Sequence, residues 1–239
     1  AYDVSGNGQT VVRGSYGISY KEEMFGLNTF QNLNIPFFID QTFTPGNFDP
    51  INRLSDGLPA PVMDANRPSG LIRTINPDFQ PGMAQMISFN VQRALGSAFM
   101  AEVGFVSALG RHLAGFRDMN QSRPGTGAAN PRRPLFGLNP DIGRVFYIDS
   151  RTNSHHEGLL LKLSRRQVRG LGFLVSYSFG KTIEGQEGTV PGPFTFPMDA
   201  QNLALEHAVA SFDRTHRFSA SWTWEMPFGK NLKDPAQVA

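Results

Sequence analysis

The chain has 239 residues and no cysteine, and its 22 lysines and arginines nearly balance its 20 aspartates and glutamates. Without cysteine it can form neither a disulfide scaffold nor a thiolate metal site. No stretch approaches the roughly 18 apolar residues of a membrane-spanning helix, which excludes a helical membrane protein.

Six stretches alternate apolar and polar residues with a period of two, the pattern of β-strands with two unlike faces. They are residues 10–20, 85–93, 98–107, 158–164, 171–181 and 216–226. The mid-strand charges Arg13, Glu102 and Lys162 all fall on the polar side of their strands. A charge facing lipid at the middle of a membrane costs roughly 2–4 kcal/mol, so this sorting is what a bilayer demands.

The connections between these strands are by turns very short and very long. Residues 95–97, 167–170 and 227–230 predict tight turns, and glycine supplies the unusual backbone angles that such turns need. The connections at residues 21–84, 108–155 and 182–212 are far longer. Outer-membrane barrels have short periplasmic turns and long extracellular loops, so loop length orients the chain.

The pattern therefore predicts an all-β fold, a slice of a large antiparallel transmembrane β-barrel with about six strands. Period two also permits a soluble sandwich, in which the apolar faces of different strands converge in a core. In a barrel slice, those faces instead point to the outside of one curved sheet.

Particular segments then become informative about the family. They are residues 6–8, 13–17, 90–93, 104–107 with Gly110 and Leu113, 118–121, 177–181, 212–218 and 226–230. In these segments, and in their order along the chain, the sequence resembles the barrel of TonB-dependent outer-membrane receptors of the Oar-like kind.

This resemblance implies a location in the outer membrane of a Gram-negative bacterium. Complete family members carry a carboxypeptidase-regulatory-like domain, a plug and about twenty-two strands. We therefore expect residues 1–239 to be a partial barrel, from which the plug, the regulatory-like domain and the remaining strands are absent. The absence of a secretory leader agrees with this expectation of a fragment.

The expected function is binding of a solute at the outer loops, followed by import with energy supplied by TonB. The expected partners are outer-membrane lipid, TonB through the plug, and an unknown solute, with no nucleic acid. The alternative is a passive porin, or a barrel with a structural or adhesive role.

The first long connection is rich in phenylalanine and asparagine. These residues could contact a saccharide or a peptide, and Asn34, Phe37, Phe38 and Phe43 are the candidate ligand-binding residues. The alternative is internal packing, because so many exposed rings would form a large apolar patch.

A charged motif precedes the last strand and contains Asp213, Arg214, His216 and Arg217. We interpret it as structural: Asp213 is expected to pair with Arg214 or Arg217 where the strand leaves the membrane. No catalytic, cofactor-binding or metal-binding residues are predicted, because the chain lacks a nucleophile elbow and a recognised metal-ligand spacing. His155 and His156 are adjacent, so on a strand they point to opposite faces.

Overall fold

The computed structural model describes residues 1–21, 30–39, 55, 57, 70–186 and 196–226. These residues form one nine-stranded sheet, with short 3-10 helices at Phe30–Leu33, Asn130–Arg132 and Leu203–Glu206. The strands are β1 (Tyr2–Asp3), β2 (Thr10–Lys21), β3 (Gly70–Ile75), β4 (Gly82–Leu95), β5 (Phe99–Asp118), β6 (Ile142–Val168), β7 (Leu171–Glu184), β8 (Ala208–Val209) and β9 (His216–Trp224). No helix in this part of the chain is long and apolar enough to cross a membrane.

The strands follow the order β1-β2-β4-β5-β6-β7-β8, with β9 also paired to β7 and β3 paired to β6. All pairings are antiparallel except that of β3 with β6. The six predicted strands correspond to β2, β4, β5, β6, β7 and β9, which confirms the all-β, barrel-slice prediction. The short strands β1, β3 and β8 were not predicted.

Tight turns join the strands at one end of the sheet, which we call the short-turn end. The turn from β6 to β7 places Arg169 at φ 55° and Gly170 at φ 80°. Two successive positive φ angles are typical of a type I′ hairpin, whose twist matches that of the flanking strands. The turn from β4 to β5 has Gly96 at φ 67°. Both predicted turns are confirmed, and the third, at residues 227–230, lies outside the described residues.

At the opposite end, the long-loop end, the predicted connections are too long. β5 continues to Asp118 and β6 begins at Ile142, so the connection predicted at residues 108–155 shrinks to residues 119–141. Two register shifts in the β5–β6 pairing interrupt the strict alternation around Gly110 and Leu113. This is the physical reason that the period-two pattern could not be followed further in the sequence.

The sheet has one apolar and one polar face along its membrane-length part. One row of paired residues on the apolar face is Val12, Val91, Val103, Leu161, Tyr177 and Phe218. The neighbouring row on the polar face includes Gln92, Glu102, Lys162, Ser176 and Ser219. The apolar side chains share one side of a single sheet and do not converge, so the sandwich alternative is wrong.

The buried core lies at the long-loop end. The buried apolar residues of the described part of the chain are Phe116, Ile142, Val145, Ile148, Ala200 and Ala210. A β-strand needs about 9–11 residues to cross a membrane, whereas β5 has 20 and β6 has 27. The surplus length, residues 110–118 of β5 and 142–154 of β6, forms with β3 a region that we call the outer platform.

Candidate functional site at the long-loop end

Polar side chains on neighbouring strands bond to one another across the polar face. Arg13 Nη1 donates to Gln92 Oε1 at 2.6 Å, and Asn90 Nδ2 donates to Glu102 Oε1 at 3.1 Å. Lys162 Nζ lies 4.0 Å from Glu102 Oε2. The three mid-strand charges therefore lie on the polar face, as predicted, and this face is suited to an aqueous interior.

An aromatic cluster joins the first long connection to the outer platform. The ring of Phe30 lies 6.2 Å from that of Phe116 and 6.3 Å from that of Phe146, measured between ring centroids. Phe196, from the connection after β7, lies 4.5 Å from Phe146. The guanidinium of Arg73 on β3 sits 5.2 Å from the Phe30 ring centroid, within cation–π range. Phe30 is thus used for internal packing.

The predicted ligand-binding residues have different environments. Asn34 Nδ2 donates to the carbonyl of Arg73 at 2.7 Å, and Asn34 Oδ1 accepts from the Arg73 amide at 2.8 Å, so this side chain fastens the loop to β3. The Phe38 ring centroid lies 5.9 Å from the same arginine's guanidinium carbon. Phe37 is 81% exposed and remains available to a solute. Phe43 lies outside the described residues.

A buried ion pair, which the sequence analysis missed, holds the outer platform together. Arg117 Nε on β5 lies 2.9 Å from Asp149 Oδ2 on β6, and the two side chains are only 13% and 3% exposed. Arg151 Nε lies 3.6 Å from the same carboxylate oxygen. The ring of Tyr147 lies 5.1 Å from the Arg117 guanidinium carbon. One sequence signal could have located Asp149. The β-branched and aromatic run at residues 145–148 predicts a strand directly before it.

The Asp213 motif bonds differently from the prediction. Asp213 Oδ1 accepts from the Thr182 amide at 2.8 Å, and Oδ2 accepts from the Thr215 hydroxyl at 2.8 Å. Arg214 donates to the backbone carbonyl of Asp213, not to its carboxylate. The predicted pairing with Arg214 or Arg217 is therefore wrong, because the carboxylate oxygens are taken by nearer donors on β7 and in its own turn. The hydroxyl of Thr215, then the amide of Thr182, lower the pKa of Asp213.

The other two residues of this motif lie on opposite faces of β9. His216 pairs with Phe179 on the apolar face, and its Nδ1 is 2.7 Å from the Tyr177 hydroxyl. Arg217 pairs with Ser178 on the polar face. The motif therefore links the start of β9 to β7 through separate side-chain contacts, one of which joins His216 to the Tyr177 hydroxyl on the apolar side.

The histidines near the outer end of the sheet are not gathered into a ligand cluster. His155 and His207 have ring centroids 6.1 Å apart, and His156 Nδ1 lies 2.9 Å from the Thr182 hydroxyl. Across the described ranges, no group of three or more His, Cys, Asp or Glu side chains could hold a metal ion.

The family model of the outer membrane beta barrel domain matches residues 1–236. The chain belongs to this family. A search of curated proteins finds no match to the barrel. Among solved structures, the barrel is similar to the crystal structure of the outer membrane transporter YddB from Escherichia coli, with a TM-score of 0.58 and 10% sequence identity.

This likeness covers 92% of the barrel chain but only 25% of the transporter chain, so the chain spans about a quarter of that protein's length. At this identity the likeness concerns the fold alone. The barrel lies in the outer membrane, its apolar face toward lipid and its polar face toward the lumen. The short-turn end is then periplasmic and the outer platform extracellular.

Proposed function

We propose that the barrel is part of an outer-membrane receptor that binds a solute at its outer platform and imports it with energy supplied through TonB. The solved transporter supports this role at the level of fold. The sequence resemblance to Oar-like TonB-dependent receptors, which carry a plug and a carboxypeptidase-regulatory-like domain, supports the energy coupling. In this proposal the apolar face of the barrel contacts outer-membrane lipid. Solute import involves no catalysis, no cofactor and no nucleic acid.

One observation carries the proposal: the best-packed part of the described chain lies beyond the membrane-length strands. Ile148 is fully buried there, and Asp149 forms its ion pair with Arg117 in the same region. A passive pore needs loops only to connect its strands and does not require this packing. A rigid extracellular scaffold, by contrast, holds solute-binding loops in a fixed geometry.

Liposome swelling with the protein encoded by the full reading frame separates the receptor from the passive porin. We expect liposomes that contain this full-length protein to remain impermeable to arabinose, because a plug closes the lumen. We also expect the full-length protein to bind the purified periplasmic domain of TonB. Rapid arabinose-driven swelling together with no TonB binding would favour the porin and overturn the proposal.

A further inference from the structure

A groove lies between two loops at the long-loop end, close to the outer platform. Its first wall comes from residues 121–124, after β5, and its second from residues 198–205, before β8. The cavity volume is about 570 Å³. Sites for small molecules occupy about 300–1,000 Å³, so the groove is large enough for a ligand of several residues.

The two walls are fixed to each other before any ligand arrives. Gln121 Nε2 donates to the Met198 carbonyl at 2.8 Å, and Gln121 Oε1 accepts from the Ala200 amide at 2.6 Å. Ala200 itself is only 3% exposed. The Met198 amide donates to Glu206 Oε1 at 2.7 Å. A groove with fixed walls loses little conformational entropy on binding, which favours affinity.

The lining of the groove offers apolar surface to the solvent. Met198 and Leu205 are 78% and 56% exposed, and Pro124 lies opposite them. Methionine is flexible and polarisable, so it adapts to aliphatic groups of different shape. The lining residues that the structure describes carry no aromatic ring. Their apolar side chains can contact an aliphatic group of a ligand.

The rim provides groups of both charges that are not used elsewhere. Within the described residues, the guanidinium of Arg123 and the side-chain amide of Gln201, which both line the groove, have no hydrogen-bond partner. Asp199 Oδ1 accepts from the backbone amide of Gln201 at 2.8 Å, which leaves Oδ2 for a ligand. Arg123 and Asp199 form no ion pair within the described ranges, so each is open to an opposite charge on a bound molecule.

We propose that this groove binds a short peptide that carries both a carboxylate and an ammonium group. Arg123 binds the carboxylate, Asp199 binds the ammonium, and Gln201 bonds to a peptide group between them. Met198, Leu205 and Pro124 contact an aliphatic side chain of the peptide. The inference rests on the proposed receptor function and specifies its class of solute.

Calorimetric titration of the full-length protein in nanodiscs tests this assignment with three probes. The first is a pentapeptide with one lysine, one glutamate and a central leucine. The second is the same pentapeptide with glutamine in place of both charged residues, both peptides being capped at their termini, and the third is maltopentaose. We expect the charged pentapeptide to bind at least tenfold more tightly than either of the others.

Substitutions locate the binding in the groove. Leu205→Asp should weaken binding of the charged pentapeptide at least tenfold. Leu138→Asp is the matched control, because Leu138 is 81% exposed and outside the groove lining, and it should leave binding unchanged. Two further pentapeptides, with glutamine in place of the glutamate alone or of the lysine alone, assign each charge to its partner. Arg123→Gln should abolish the preference for glutamate over glutamine, while Asp199→Asn should abolish the preference for lysine over glutamine.

Preferential binding of maltopentaose, equal binding of the two peptides, no binding of any probe, or equal effects of the two leucine substitutions would each overturn the assignment. These outcomes are distinct from failure of the proposed function, which is measured by arabinose permeability and TonB binding. If liposomes with the full-length protein swell in arabinose and the charged pentapeptide still binds in the groove, the peptide-binding assignment stands and the receptor mechanism is wrong.

Discussion

Leu160 and Leu161 are neighbours on β6 with the same exposed fraction, 38%, yet they point to opposite faces of the sheet. Leu161 pairs with Val103 and Tyr177 on the lipid face, whereas Leu160 pairs with Gly104 and Ser178 on the lumen face. The exposed fraction is therefore the same at two positions that meet different media. Leu161 faces lipid, whereas Leu160 faces the aqueous lumen.

Arginine substitution at these two positions should have unequal effects. Leu161→Arg places a charge in lipid and should cost about 2–4 kcal/mol of barrel stability, because the hydrocarbon cannot solvate it. Leu160→Arg places the same charge in the aqueous lumen and should be tolerated. Heat-modifiable migration of the full-length protein from outer-membrane fractions measures assembly. Equal assembly of both variants would contradict the assignment of the faces.

The buried pair of Arg117 and Asp149 predicts a second asymmetry. Among the residues that the structure describes, Arg117→Met leaves the buried Asp149 carboxylate with only the more distant Arg151, and should destabilise the outer platform by about 3–5 kcal/mol. Hydrogen–deuterium exchange of residues 142–150 measures the change as faster exchange, while β4 should be unaffected.

The matched control is the double variant Arg117→Met, Asp149→Leu, which removes both charges. Replacing a buried ion pair by apolar side chains is often neutral, so this variant should recover most of the lost protection. If the single and double variants exchange equally fast, the damage comes from lost packing around Tyr147 and not from an unpaired charge.

The lowered pKa of Asp213 predicts how pH affects the junction of β7 and β9. A carboxyl group with a lowered folded-state pKa contributes its full stability above the ordinary value, about 3.9. That contribution is lost as the pH falls through the lowered value. Exchange of the Thr182 amide should therefore remain slow from pH 7 to 5 and its protection should fall only in strong acid.

Two variants test whether the carboxylate itself causes this behaviour. Asp213→Ala should lose protection at Thr182 at every pH, since both hydrogen bonds disappear. Arg214→Ala should behave like the parent protein, because Arg214 bonds only to the backbone carbonyl of Asp213. Loss of protection of the Thr182 amide in the Arg214 variant would instead support the ion pair of Asp213 with Arg214 that the sequence predicted.

The type I′ turn makes Gly170 sensitive to substitution. It has φ 80°, and an added Cβ would lie 3.0 Å from the Glu225 carbonyl oxygen. Gly170→Val should therefore cost at least about 1–2 kcal/mol, the penalty for a left-handed conformation. Gly137→Val is the matched control, since nothing lies within 4 Å of an added Cβ there. Urea unfolding of the refolded full-length protein compares the stability of the two variants. Equal unfolding midpoints for Gly170→Val and Gly137→Val would contradict the turn assignment.

The strand pattern and the tight turns were predictable because both depend on local chemistry. Alternation places Val103 and Val175 on one face wherever the strand is regular, and glycine at positions 96 and 170 marks the turns. The outer platform was not predictable in this way. The β5–β6 pairing shifts register between Gly110 and Gly115, which breaks the period on which the prediction depended.

The candidate sites show the same division. The sequence indicated that aromatic residues of the first long connection would pack or bind, but only the fold brings Phe30 to Phe116, 86 positions away in the chain. Asp213 was identified as structural, and its contact with Thr215 is local, but its contact with Thr182 follows from how β9 returns to β7. The groove joins Gln121 to Met198, and no local signal predicts that contact.

By itself the sequence determined that the chain forms two-faced strands, where several of them turn, and which face meets lipid. Those properties follow from the side-chain period of a strand and from the cost of placing a charge in hydrocarbon. Only the tertiary structure decided that β5 and β6 continue into a packed platform and that two distant loops enclose a groove. Contacts across long chain separations depend on register and loop closure, which no short segment of sequence encodes.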